Sequence, residues 1–340
     1  MATAPHPEIP AAESDPGNSL APLLTSAAFA PLPATGWLRA TGSDRVRWLN
    51  GMVTNSIQAL TPGQGCYNFV LNAQGRIQGD LTAFLLDDAI LLETTQPAAL
   101  ATLLDRFIIM DDVELTDISS TRTGLLLAGP HAPAILTSLD LPTPAPLHLH
   151  SGQSQGDPLD VIHARSPLIP RFELWADPST IDSLTHTLTA AGIAHAHPAD
   201  LEQLRLLEGT PRYAIDIRNT ETARDLPQET AQAHALHFNK GCYLGQEIVE
   251  RIRSRGQVHR TFTGLLLTGA LPPAGTPLTT SEGKPAGEIT SAATIPHPTA
   301  GPLQLALGYL RREALTPATS APLQYPGGTA SPINLPYIPG

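Results

Sequence analysis

The octapeptide Lys240-Gly241-Cys242-Tyr243-Leu244-Gly245-Gln246-Glu247 opens a helical pattern and concentrates more chemistry than any other stretch of the chain. Gln246 to Arg255 places Ile248, Val249 and Ile252 on one face, pairs Glu247 with Arg251 at i,i+4, and meets a stop at Gly256. This spacing predicts a short amphipathic helix. Cys242 then lies just before a helix N-terminus, where backbone N–H groups and the positive dipole end stabilise a thiolate, and Lys240 adds a cation nearby. Both effects lower a cysteine pKa. Gly241 and Gly245 permit unusual backbone angles and close approach to the sulfur, and Tyr243 can stack on a planar ligand. On spacing alone, Cys242 reads equally well as a small buried apolar residue, as most free cysteines are.

Upstream, Leu201, Leu204, Arg205 and Leu207 predict a helix after Pro198, leading into the loop Gly209-Thr210-Pro211-Arg212-Tyr213. Downstream of Gly256, short strands alternate with Gly and Pro turns (Thr263 to Leu267, Gly287 to Ser291, Leu305 to Leu310), which predicts an all-β tail domain, a barrel. Towards the N-terminus, Thr35 to Ala40 reads as a strand, and Asp44 is a helix N-cap before Val46, Trp48, Leu49 and Met52. Cys66 to Leu71 and Ile77 to Leu86 form a hairpin around Gly75, and Pro97 to Ile109 reads as an amphipathic helix. Val113 to Ile118 is an edge strand, Gly124 to Ala128 and Phe172-Glu173-Leu174-Trp175 are further strands, and Ser179 to Ala191 is helical. The stretch from 130 to 160 carries many Pro and His residues. No repeat or heptad pattern is present.

A chain of 340 residues calls for two or three domains. Lys plus Arg number 20 against 31 Asp plus Glu, a formal charge of -11, which leaves no electrostatic footprint for nucleic acid or an anionic membrane. Cys66 and Cys242 are the only cysteines, a usage that fits a reducing cytosol. No apolar run approaches the roughly 20 residues that span a bilayer. The first twenty residues hold no Arg or Lys, so residues 1–22 read as a disordered arm, not a targeting segment, and a cytoplasmic location follows. His234 and His237 at i,i+3, with Cys242 nearby, outline a zinc site, but Lys240 stands beside it and a fourth ligand is missing, so no metal is expected.

The octapeptide resembles the KGCYxGQE signature of the YgfZ-type iron-sulfur maturation proteins. The likeness extends through Gly42 to Arg45, Trp48 to Asn55, Leu71 to Ile77, Leu226-Pro227-Gln228-Glu229 and Gly287 to Ser291, covering roughly residues 35 to 315. It implies the fold shared with the glycine cleavage aminomethyltransferase: α+β, three domains around a central folate channel, and a C-terminal β-barrel. The corresponding divisions are 23–120 (folate-binding domain, first part), 121–199 (a small sheet-and-helix module), 200–258 (the rest of the folate-binding domain) and 259–340 (the barrel).

The resemblance also implies tetrahydrofolate as cofactor, iron-sulfur clients or assembly proteins as partners, Cys242 and Lys240 as the reactive pair, and Gly241, Tyr243, Gly245, Gln246 and Glu247 as their frame. Candidate folate contacts are Asn72, Asp80, Glu208, Arg251 and Arg253. Two positions depart from the transferase. Its acidic pair is Gly79-Asp80 here, and its pterin-reading Glu corresponds to a site one residue before Glu208, a displacement of about 100 degrees around a helix. Without the likeness, Asn72 is a turn former, Asp80 a solvent-facing strand residue, Glu208 a helix-end charge, and both arginines a solvated helix face. Three functions stay open: a maturation or repair factor using Cys242, a folate-dependent aminomethyltransferase, and a non-catalytic folate-binding scaffold.

Overall fold

The computed structural model describes residues 20–218, 233–255, 260–296, 301–315 and 321–338; Leu226 to Glu229 and Gly256 lie outside the described residues. The chain enters on α1 (Leu20–Thr25), which buries Leu20 and Leu23. Leu20 to Pro22 are therefore helical, and an arm ending at residue 22 is too long: Leu20 and Leu23 share a core with Leu204 and Leu207 of the later helix 198–208. β1 (Ala28–Pro31) follows.

The first sheet comprises β2 (Gly36–Thr41), β3 (Gly65–Leu71), β4 (Ile77–Leu85), β5 (Ile90–Thr94) and β6 (Glu114–Asp117), in the antiparallel order β3-β4-β5-β2-β6. Strand alternation sends Leu38, Leu81, Ala83 and Leu92 to one face, where α2 (Arg45–Met52) supplies Trp48 and Leu49 and α3 (Pro97–Asp105) supplies Leu100 and Leu104. Asp44 stands at the N-cap of α2 but does not cap it. Its carboxylate accepts from the Asp112 amide and pairs with Arg47 instead. The helix α3 ends at Asp105, short of Ile109, because the chain turns there to bring Val113 back onto the core; Ile109 and Met110 are left exposed.

The second sheet joins β7 (Thr123–Ala128), β8 (Leu149–Ser154), β9 (Asp157–His163), β10 (Arg171–Ala176) and β11 (Ala194–His195) to the earlier β1, in the order β11-β1-β7-β10-β9-β8. A module confined to 121–199 would lack β1, which pairs with both β7 and β11. β8 and β9 occupy the Pro- and His-rich stretch. α4 (Ala132–Ser138) and α5 (Pro178–Ala190) cover the outer face of this sheet. Asp177 caps α5 by accepting from the Ser179 and Thr180 amides.

The two sheets face one another through Trp37, Phe84, Leu91, Leu149, Ile162 and Trp175, with the two indoles edge to face at 5.3 Å. The Arg122 guanidinium lies 4.8 Å from the Trp37 ring centre. Backbone bonds stitch the layers at one end: Gly65 N–H donates to Leu147 O (2.7 Å) and Leu149 N–H to Gly63 O (2.8 Å).

The helix α6 (Pro198–Glu208) ends on Gly209 in the left-handed region (φ +69°). The barrel closes as β12 (Arg260–Gly269), β15 (Leu303–Arg311), β14 (Pro285–Ile295), β13 (Pro277–Thr279), β16 (Leu323–Tyr325) and β17 (Gly328–Ile333), as the Gly- and Pro-punctuated pattern predicts. Phe262, Leu305, Leu307 and Tyr309 of the barrel share a core with α1, α6 and the second sheet. A polar knot fastens the same junction. The Asp216 side chain, fully buried, accepts from Arg205 Nη1 (2.6 Å), Thr290 Oγ1 (2.5 Å), Ser291 Oγ (2.7 Å) and the Arg212 amide (2.9 Å). Asp216→Ala removes these four bonds while Arg205 keeps its pair with Glu202, and is expected to lower unfolding free energy by about 2–3 kcal/mol; urea titration of the two proteins measures it.

Candidate functional site

Alternation along β4 and β5 points Asp80, Thr82 and Glu93 away from the helix-covered core and towards the second sheet, the side on which Phe84 and Leu91 meet it. Opposite them β10 sends Arg171, Glu173 and Trp175 inward, while Phe172 and Leu174 go to the outer core. Beyond the edge of the apolar contact the sheets part and leave a cavity of about 250 Å³, lined also by Tyr67, Thr94, Thr95, Arg165, Thr210, Pro211 and His234. It is a chamber between the two sheets into which several polar side chains project.

Tyr67 Oη donates to Asp80 Oδ2 (2.6 Å), and its ring stacks on His234 at 5.4 Å. Burial raises the Asp80 carboxyl pKa, with the Tyr67 bond opposing. Burial and the Asp80 charge together push the Tyr67 phenol well above its ordinary range. Across the chamber Glu173 accepts from Arg171 Nη2 (2.9 Å) and Nε (3.2 Å) and from Trp175 Nε1 (3.3 Å). Burial, then the neighbouring Glu173 charge, raise Glu93 well above the usual carboxylate range; Glu173, although equally buried, is held low by Arg171 and by its hydrogen bond with Glu93. The Thr210 hydroxyl is buried with no partner among the described residues.

Of the candidate folate contacts, Asp80 alone lines the chamber, so its reading as a solvent-facing strand residue is set aside. Asn72 is the turn former: its Oδ1 accepts from the Gln74 and Arg76 amides. Glu208 is buried behind the chamber wall, where it accepts from Ser166 Oγ, and burial raises its pKa. Arg251 pairs with Glu247 (2.5 Å), as the spacing predicts, and the Arg253 guanidinium lies 4.3 Å from the Phe238 ring centre; both are exposed on a helix face. Gly79, where the transferase has its first acid, faces Leu100: a Cβ there would come within 2.7 Å of Leu100 Cδ2. An acid at 79 would enter the α3 core, so its absence says nothing about the chamber.

The octapeptide lies apart from the chamber lining. The helix α7 (Gln246–Arg255) forms where the spacing predicts, burying Val249 against Phe69, Leu71, Ile77 and Tyr243. Gly245 is strained ground for any other residue: its φ is +84°, and a Cβ would come within 2.7 Å of Asn72 O. Gly75, at the tip of the β3–β4 hairpin (φ +70°), similarly makes room for Ile248. The Leu244 amide donates to Gly51 O (3.1 Å), and Gln246 Oε1 accepts from the Tyr243 amide (3.3 Å). Gly241 has open space at its Cβ position and no left-handed backbone, so it carries no such constraint.

Cys242 is exposed, which removes its reading as a buried apolar residue. Lys240 does not stand beside it as the expected activating cation. Its Nζ turns inward and donates to Val53 O (2.7 Å) and Asn55 O (2.5 Å), and the sulfur on which its charge acts is Cys66. Burial pushes the Lys240 pKa down to about 8. Tyr243 is itself buried, its ring 5.0 Å from Lys240 Nζ, and is not offered to a planar ligand. The lysine is a clamp. Cys66 is buried and accepts a hydrogen bond from Asn68 Nδ2 (3.3 Å). His234 belongs to a single 3-10 turn (Ala233–Ala235) and His237 lies beyond it, so the helix that would align them is absent; no group of three or more His, Cys, Asp or Glu is placed to hold a metal among the described residues.

Sequence reasoning overlooked Tyr67, Glu93, Arg165, Arg171, Glu173 and Thr210. A signal existed in two of them: Glu93 and Glu173 interrupt apolar strands, where an ionisable residue is costly unless partnered. Iodoacetamide should alkylate Cys242 in the native protein and Cys66 only after unfolding, as peptide mass spectrometry would show. Gly245→Ala should lower stability by about 1–3 kcal/mol in urea titration.

A family model described as the GCVT N-terminal domain matches residues 26–231. Among curated relatives, the chloroplastic putative transferase At1g60990 of Arabidopsis thaliana is 27% identical over 82% of this chain; the chain spans 64% of that protein's length. An aminomethyltransferase of Frankia alni is 28% identical over 77% of this chain and 72% of its own. A mitochondrial iron-sulfur cluster assembly factor IBA57 homolog of Mycosarcoma maydis is 26% identical over 72% and 59%. The crystal structure of the glycine cleavage system aminomethyltransferase T from Bartonella henselae superposes with a TM-score of 0.78, covering 94% of this chain and 88% of that one at 20% identity, a likeness of fold. The three-part α+β architecture with its closed C-terminal barrel is that of the GcvT-like proteins, and the chain belongs to the family defined by the GCVT N-terminal domain.

Proposed function

We propose that the protein is a tetrahydrofolate-binding protein of the YgfZ type, acting in a reducing cytoplasm on iron-sulfur cluster assembly or repair through Cys242. The observation that carries this is an exposed cysteine on a loop pinned from both sides, by Lys240 on the Val53 and Asn55 carbonyls and by Gly245 against the β3–β4 turn. A pinned, accessible sulfur can be presented to a protein client or a transient cluster without the loop having to order itself first. The unpaired thiols suit a reducing compartment. The iron-sulfur assembly relative supports the pathway.

The chamber suits a flat, polar head group. Its lining joins the Asp80 carboxylate and Tyr67 hydroxyl to the Thr210 hydroxyl, which has no partner among the described residues, and the Arg165 cation, a small number of polar groups that fix a ligand's orientation. Asp80, Thr210 and Arg165 are the residues that would hold tetrahydrofolate. When bound, this cofactor supplies a nitrogen nucleophile and one-carbon carrier. Aminomethyl transfer is the second reading, favoured by the presence of Asp80 in the chamber and by the irrelevance of Gly79 to it. Release of a one-carbon unit from an aminomethyl donor by the purified protein would establish that reading over ours.

In a strain lacking its own counterpart, wild-type protein should restore iron-sulfur enzyme activities and Cys242→Ser should not; full rescue by the serine variant would remove the cysteine from the function. Asp80→Asn tests the chamber. A raised carboxyl pKa means that the folded state binds more protons than the unfolded chain, so this group's contribution to stability is lost as pH rises through the folded value. Near neutral pH the asparagine variant should therefore be at least as stable as wild type in a thermal scan, while tetrahydrofolate binding by fluorescence weakens about 10- to 100-fold.

A further inference from the structure

We propose that Gly51 and Gly241 decide what reaches the Cys242 sulfur: by keeping the ground on both sides of it free of side chains, they admit an extended polypeptide segment of a partner protein, laid across the thiol. Among the described residues every other glycine either takes a left-handed φ or would bring a Cβ against a neighbour, so the fold itself accounts for it. Gly51 and Gly241 have ordinary backbone angles, and a Cβ at either would meet nothing within 4 Å. Gly51 lies inside α2, where glycine is the least favourable residue after proline, and it is not the cap: the helix runs on to Met52 and ends on extended Val53. The bond that Gly51 accepts from the Leu244 amide uses a carbonyl that any residue carries. Local structure therefore explains neither glycine, yet both stand at one place. The Leu244 bond brings Gly51 against the loop two residues past Cys242, and Gly241 directly precedes the cysteine.

The neighbouring side chains also leave this surface. Lys240 Nζ turns inward to the Val53 and Asn55 carbonyls, Tyr243 is buried, and Arg47, one turn before Gly51 on the same helix face, is drawn to Asp44 and Asp111. From Lys240 to Tyr243 the thiol is thus the one exposed side chain, on a strip of bare backbone. The Gly241 and Cys242 backbone groups have no hydrogen-bond partner among the described residues, which leaves them for the amide groups of a visiting chain. A free small molecule gains nothing from the clearance, because a sulfur that is already exposed is within its reach whatever stands alongside. A polypeptide does gain, since its backbone and flanking side chains must pass on both sides of the group it brings to the sulfur. The clearance is a property of the surface, and only its use rests on the reading of Cys242 as the working residue.

Two disulfides with the same leaving group test this: 2-thiopyridyl cysteamine, and a short peptide of alanines and serines whose central cysteine is activated likewise. In each reaction the Cys242 thiolate attacks the cysteamine or peptide sulfur, a new disulfide forms as the old one breaks, and the electron pair leaves with thiopyridone, whose absorbance gives the rate. Cys242→Ser supplies the background, which buried Cys66 should leave near zero. Gly51→Leu and Gly241→Leu should each slow the peptide reaction about tenfold or more and leave the cysteamine reaction within about twofold of wild type. The alanine variants at both positions should fall between, with urea midpoints equal to wild type or, for Gly51→Ala, higher. Peptide rates unchanged in both leucine variants, an equal fall with both reagents, or lowered midpoints in the alanine variants would each overturn the proposal. In the strain lacking its own counterpart, Gly51→Leu should lose the rescue of iron-sulfur enzymes. Rescue by Gly51→Leu where Cys242→Ser fails overturns the clearance alone; full rescue by Cys242→Ser removes the cysteine's role, while the peptide and cysteamine rates still decide the clearance.

Discussion

A buried aspartate organises this molecule. Asp216 brings a full negative charge into the junction between α6, the loop after it and the barrel, a placement that is unfavourable unless every lone pair is used. It is used: the Arg205 guanidinium and the Arg212 amide, close by in the chain, and two hydroxyls from the barrel, 74 and 75 residues on, converge on it. Because the partners have directional requirements, the knot sets how the barrel sits on α6 more sharply than the surrounding leucines can. The loop it anchors carries Thr210 and Pro211 into the chamber, and Arg205 also donates to Thr210 O (2.7 Å). Thus Thr290 and Ser291, at the end of the barrel's Gly287 to Ser291 stretch, act on the chamber without lining it.

The chamber and the cysteine loop share one face of the β3–β4 hairpin. Tyr67 and Asp80 project into the chamber, and on the same side Phe69, Leu71 and Ile77 receive α7 and the octapeptide. Lys240 adds a second tie, because the Val53 and Asn55 carbonyls it holds follow α2, and Asn55 in turn donates to Tyr67 O (3.2 Å).

The local grammar of the chain was legible where short-range rules dominate. The α7 amphipathic pattern, the hairpin around Gly75, the edge position of β6 and the barrel strands all rest on periodicity and turn chemistry. Local rules failed where a distant partner decided. Asp44 has the residue type of a cap, yet the Asp112 amide claims its carboxylate. Lys240 sits two residues from Cys242 in the chain, yet two carbonyls nearly 190 residues away in sequence draw its ammonium elsewhere. The first strand of the second sheet, β1, precedes the whole of the first sheet, and no composition shift marks that crossing.

Residue pattern by itself determined that this chain builds mixed sheets and a β-barrel, carries an amphipathic α7 behind a Cys-containing loop, and resembles folate-binding proteins in its motifs. Those properties depend on side-chain type and on spacings of a few residues, which a sequence displays directly. Only the tertiary structure decided which acids share a space. Asp80 and Glu93 come together because neighbouring strands align them on one face, and Glu173 joins them because a second sheet packs there on its tryptophan; Glu208, adjacent to a conspicuous glycine, is left behind the wall. Long-range packing sets such distances, and the octapeptide that announced the fold remains a pinned loop beside the chamber, outside its lining.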